Sequence, residues 1–257
     1  MSGSPGFARP RPGLPTREVA LLLILAAGAW AATVTIARGM TGMTGTMGLG
    51  LVAFVPIWTL MMAAMMFPSV APTAALYAKT FTDSRPARIA GLMAGYLAVW
   101  AAVAFPAYVL ASLAGWLTGK HPGAAHALGV AVFAVCGVYQ LSGLKDRCLA
   151  HCRSPLALLL HYGSYRGRFR DLRVGAHHGG YCLGCCWGLM LILIAVGTMN
   201  ILAMVGLAVL VLIEKVWAHG QAAARLAGVG TLALAVATIW FPWLAPGLHA
   251  APAMMMH

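Results

Sequence analysis

The chain has 257 residues, 61% of them hydrophobic and only 9% charged, with five acidic residues in all. That balance excludes an ordinary soluble globular domain and leaves an integral membrane protein. A formal charge of +12 would suit nucleic acid, but the basic residues flank apolar segments and form no aromatic-interleaved patch, so their expected partner is the lipid bilayer and no nucleic acid.

Residues 1–18, MSGSPGFARPRPGLPTRE, are too rich in Pro, Gly and Arg for the apolar core of a cleavable signal and read as a basic N-terminal segment. A crossing takes about 20 apolar residues, and seven runs qualify: 19–37, 50–78, 89–117, 124–144, 182–198, 200–217 and 223–244. The second run exceeds one crossing, and Pro68 and Pro72 each remove a backbone donor there, which predicts a bend or an early end. The string YQLSGLK, residues 139–145, reads as the end of the fourth helix, loosened at Gly143. The connection 145–180 follows as the one sizeable soluble element, rich in Cys, His and Arg. Little more than Gly197, Thr198, Met199 and Asn200 joins the fifth and sixth runs, which forces a tight antiparallel hairpin. Residues 245–257 form a Met/His tail after one transmembrane domain, 19–244.

Lys and Arg should collect on alternate, cytoplasmic connections. With the N-terminus cytoplasmic, 15 of the 17 basic residues fall inside, and only Arg38 and Lys120 fall outside. The expectation is therefore an all-α, polytopic transmembrane helix bundle of about seven spanning helices. Its N-terminus is cytoplasmic and its C-terminus outside.

Five of the six cysteines bracket the large inner connection: Cys148 and Cys152 open it in RCLAHCRSP, and Cys182, Cys185 and Cys186 close it. The cytosol keeps thiols reduced, so metal binding gains over a disulfide framework. C-x2-C is a chelating step, and C-x3-C puts two thiols one helical turn apart. Arg147, Arg153 and the mouth of the fifth helix, placed beside Cys182, would favour thiolates, and soft thiolates select Cu(I) or zinc. Iron–sulfur spacing is not reproduced. His151, His177 and His178 are auxiliary candidates, and Cys136, deeper in the fourth run, reads as packing.

Fifteen methionines are many for this length. In the second run Met61 and Met65, and Met62 and Met66, form i,i+4 pairs, each on one helix face. Met40, Met43 and Met47 lie outside after the first run, and Met254, Met255 and Met256 join His249 and His257 in the tail. Exterior loops have no core to fill, so these residues read as capture ligands for Cu(I), to which thioethers are suited. Glu214 and Lys215 sit at the inner end of the sixth run; Glu214 at that depth should pair with a cation of the large connection or carry protons. No catalytic constellation appears, so no enzyme is expected.

Together, WTLMMAAMMFPSVAP, YQLSGLKDRCLAHCRSPL, YCLGCCWGLM, GTMN and VLIEKVW resemble the bacterial family of predicted metal-binding integral membrane proteins, domain of unknown function 2182, over about residues 50–220. The resemblance implies a bacterial inner (cytoplasmic) membrane and a metal site, matched here by Cys148, Cys152, Cys182, Cys185 and Cys186, and carries no established reaction. Three readings follow. The first is Cu(I) transport or delivery through Met and Cys ligands to a cytoplasmic acceptor or a membrane complex. The second is an accessory subunit with a structural zinc-type staple, and the third a thiol oxidoreductase using Cys182 and Cys185.

Overall fold

In the computed structural model the residues described are 17–40, 43, 45–80, 85–154, 162, 163 and 165–249. Helices α1 (Arg17–Arg38), α2 (Leu51–Ala78), α3 (Arg85–Lys120), α4 (Pro122–Gln140), α5 (Gly143–Arg153), α6 (Arg170–Val196), α7 (Ile201–Val216) and α8 (Gly220–Trp240) make an all-α fold, followed by two 3-10 turns. Six of them, α1, α2, α3, α4, α6 and α8, are long and apolar enough to cross a membrane. Helix α7, with 16 residues, measures about 24 Å, short of a hydrocarbon core of about 30 Å.

Helix α2 is enclosed by α1, α3 and α7 and buries residues around its whole circumference. It does not end early. It continues through Pro68 and Pro72 to Ala78, because neighbouring helices on several sides outweigh the donors those prolines remove.

Helix α6 begins at Arg170, 12 residues before the apolar run that marks it in the sequence. The stretch RDLRVGAHHGGY, read as part of a soluble connection, is helical, and its glycines are packing positions. A Cβ on Gly175 would strike the Leu92 carbonyl, one on Gly95 would strike the Leu172 carbonyl, and one on Gly179 would stand 3.2 Å from the Tyr96 carbonyl. Small residues four apart on both helices thus let the backbones of α3 and α6 touch. The opposite face of α6 uses Gly184 and Gly188 in the same way against Cys148, Tyr139 and Cys136, and the Tyr139 hydroxyl donates to the Gly184 carbonyl.

The connection after α4 is also helical. Ser142 caps α5, accepting from the Lys145 backbone N–H at 3.2 Å, so the string that reads as a helix end is equally a helix start. The hairpin between α6 and α7 is as tight as expected. Gly197 takes a φ of +106°, and Asn200 caps α7, accepting from the Ala203 N–H at 3.1 Å.

Candidate metal centre

The C-x2-C-C string occupies one turn of α6. The sulfur atoms of Cys182, Cys185 and Cys186 all lie within 4.8 Å of one another, and the three residues are at most 1% exposed. They stand 12 residues into the helix, about 18 Å from its start, in the interior of the bundle. The expected position at a helix mouth is thereby corrected, and with it the helix-dipole argument, since that field fades within the first turn. Two of the sulfurs are donors: Cys185 Sγ and Cys186 Sγ bond the Cys182 carbonyl at 3.1 and 2.9 Å.

Cys152, 8% exposed on α5, stands beside this trio, its thiol close enough to that of Cys185 for the two to interact. That interaction, followed by burial, pushes the Cys152 thiol well up from its ordinary range. Cys148 faces elsewhere. Its sulfur faces Gly184, where a Cβ would lie 2.9 Å away, and burial pushes its thiol up as well. Cys136 is fully buried on α4 against Gly188 of α6, as a packing residue would be.

The positive charge at the trio comes from a residue that the sequence does not place there. Lys215 Nζ donates to Cys182 Sγ at 2.9 Å and to Ser69 Oγ of α2 at 3.3 Å, and the Tyr96 hydroxyl lies 3.0 Å from the same sulfur. The close approach of α3 and α6 at Gly175 and Gly179 is what brings Tyr96 within reach. Arg147 is exposed, and Arg153 spends its guanidinium on the carbonyls of Glu214 and Ala218, at 2.7 and 2.9 Å. Neither arginine serves the thiols.

Beside the trio lies a closed polar assembly. Lys145 Nζ meets Glu214 Oε2 at 2.6 Å and donates to the Cys185 carbonyl at 2.5 Å, while Gln140 Nε2 donates to Glu214 Oε1 at 2.8 Å. Glu214 therefore pairs with a cation of the connection after α4. Lys145 and Lys215, two of the residues that the topology argument counts as surface charges, point into the protein.

The histidines divide. His178, one turn before Cys182, is 4% exposed, and its Nδ1 has no hydrogen-bond partner among the described residues. His151 stacks on Tyr181 with ring centroids 3.6 Å apart, 5.8 Å from the ring of His177, whose Nδ1 is 3.2 Å from the Tyr162 hydroxyl. Met61, Met62, Met65 and Met66 are all 1% exposed or less. Met65 lines a cavity of about 250 Å³ with Trp30, Pro68 and residues of α7. Ser69, three residues beyond Met66, reaches Lys215 and so links this stretch of α2 to Cys182.

The outer donors are scattered. Met47 is 3% exposed and belongs to the main core, Met40 packs against that core, and Met43 and His249 are exposed. Met47 thus fills a core position although it lies outside the helices. Met254, Met255, Met256 and His257 lie outside the described residues.

A buried group of three or four soft donors beside a fixed cation is suited to a soft metal ion. The copper chaperone family PpoB2 matches residues 55–238. The chain belongs to this family. The matched span contains the methionines of α2, all six cysteines, Glu214 and Lys215, and leaves out Met40, Met43, Met47 and the tail. No curated protein and no solved structure matches the chain. Family membership and the thiol trio together support a copper-related, metal-binding role. They meet the expected resemblance at the level of a copper family and leave the label domain of unknown function 2182 aside.

Proposed function

We propose that this protein is a membrane-embedded copper chaperone that holds Cu(I) as cargo on Cys182, Cys185 and Cys186, with Cys152 as an additional donor and His178 as an auxiliary one. The observation that carries this reading is a set of three sulfurs on one buried helical turn, at most 4.8 Å apart. Cu(I) accepts two or three soft ligands, whereas structural zinc asks for a closed tetrahedral set. The methionines of α2 form the approach, since Met62 lies seven residues before Ser69, about 10 Å along the helix. Weak thioether sites along a path and a stronger thiolate site at its end are the order that permits movement followed by retention.

In this proposal the chain crosses a bacterial inner membrane seven times, with the short α7 as the sixth crossing, the N-terminus inside and the C-terminus outside. The distribution of Lys and Arg supports that orientation. His151 and His177 stand near the start of α6, on the side from which a cytoplasmic acceptor or a partner subunit would take the ion. The role is carriage and delivery, with no bond of a substrate made or broken.

The test is metal stoichiometry of the purified protein under reducing conditions. Wild type is expected to bind Cu(I) in preference to zinc, and the triple change of Cys182, Cys185 and Cys186 to Ser to bind none. Equal copper in the two proteins would overturn the assignment, and four-thiol zinc in the wild type would favour the structural staple.

A further inference from the structure

Two lysines turn their ammonium groups toward the bundle, Lys145 fully buried and Lys215 half-buried, and their partners differ in kind. Lys145 has a carboxylate, Glu214, at 2.6 Å. Lys215, the next residue along α7, has no carboxylate within ion-pair distance among the described residues; its ammonium rests on Cys182 Sγ and Ser69 Oγ. An ammonium in apolar surroundings requires an anionic or strongly accepting neighbour. Here that neighbour is one of the sulfurs that would bind the metal. The candidate site therefore contains a fixed positive charge of its own.

We propose that Lys215 selects the valence of the bound ion, so that the site accepts soft monovalent cations and rejects soft divalent ones. This inference rests on the copper reading and deepens it. Repulsion from a fixed cation scales with the charge of the arriving ion, so at equal distance a dication meets twice the opposition that Cu(I) meets. Charge balance gives the same order. Two thiolates, the Lys215 ammonium and a monocation sum to zero, whereas a dication in that seat leaves a net positive charge in a poorly solvated interior and must recruit a third thiolate. Without the ammonium the order reverses: two thiolates then balance a dication and leave a monocation one charge short. Softness alone makes no such distinction, because Cd(II), like Cu(I), is a soft, thiophilic cation.

The experiment measures Cu(I) and Cd(II) affinities of the full-length protein in detergent under reducing conditions, by competition with chelators. Lys215→Met is expected to lower the ratio of Cu(I) to Cd(II) affinity at least tenfold, and Lys215→Arg, which keeps the charge, to hold it within about threefold of wild type. Lys215→Gln removes the charge but keeps a donor toward Cys182 and Ser69, and serves as the neutral variant should Met compromise folding, which thermal unfolding reports. A ratio that stays at the wild-type value in the neutral variants overturns the proposal. So does an equal fall in both affinities, which would mark Lys215 as a purely structural support. Failure of the copper reading itself looks different: wild type would then bind Cu(I) no better than the protein lacking Cys182, Cys185 and Cys186.

Discussion

Helices α2 and α6 both bury a run of sulfur in the core, and the two runs are surrounded differently. Met61, Met62, Met65 and Met66 sit among apolar side chains, with Ser69 as the nearest polar link. Around Cys182, Cys185 and Cys186 every sulfur makes a hydrogen bond, and a lysine, a tyrosine and a fourth cysteine from three other helices converge on them. Burial of sulfur is common to both runs. Charge and hydrogen bonding set the second apart, because neutral thioethers can pass a soft cation along while a charged, bonded set can retain it.

The largest expected effect comes from the polar assembly that flanks α6. Replacing Glu214 by Leu strands the Lys145 ammonium in the core, and loss of one partner of a buried pair costs about 3–5 kcal/mol. Chemical denaturation should show that loss, and the double change with Lys145→Met should restore most of it. The next effect separates two cysteines of α5. Cys152→Ser should weaken Cu(I) binding about tenfold, equivalent to about 1.4 kcal/mol, whereas Cys148→Ser should leave affinity within about twofold; equal losses would place both sulfurs at the ion. The smallest effect on stability belongs to α2. Met62→Leu with Met66→Leu conserves volume and should cost under about 1.5 kcal/mol, yet slow copper entry into proteoliposomes. Unaltered entry would end the relay and leave these methionines as core.

Much of this could be read in advance. Each of the seven apolar runs is centred on one helix, although 124–144 passes the break at 141–142 and 223–244 overruns Trp240; the tight turn at Gly197 is where the spacing puts it, and the C-x2-C-C string holds three sulfurs together. The depth of the site was not legible. Gly175, Gly179 and Gly180 break helices by propensity, and here Gly175 sits where α3 leaves no room for a Cβ and Gly179 where one would be tight, so tertiary contact overrides the local preference. The pairing of Lys215 with Cys182 joins residues 33 apart in sequence, and no spacing rule reports which face of α7 meets α6. Met47 misled for a simpler reason: a loop position outside the helices can still be core, and at φ +58° it turns back into the bundle.

The placement of the trio in mid-helix has a consequence for oxidation. On a regular α-helix, side chains three or four residues apart hold their Cβ atoms about 5–6 Å apart, whereas a disulfide needs about 3.5–4.5 Å. Linking Cys182 to Cys185 or to Cys186 would therefore require unwinding a turn that is clamped by glycine contacts on both flanks. Cys182 thereby resists oxidation to its two helix neighbours, under conditions that would cross-link the same residues on a loop.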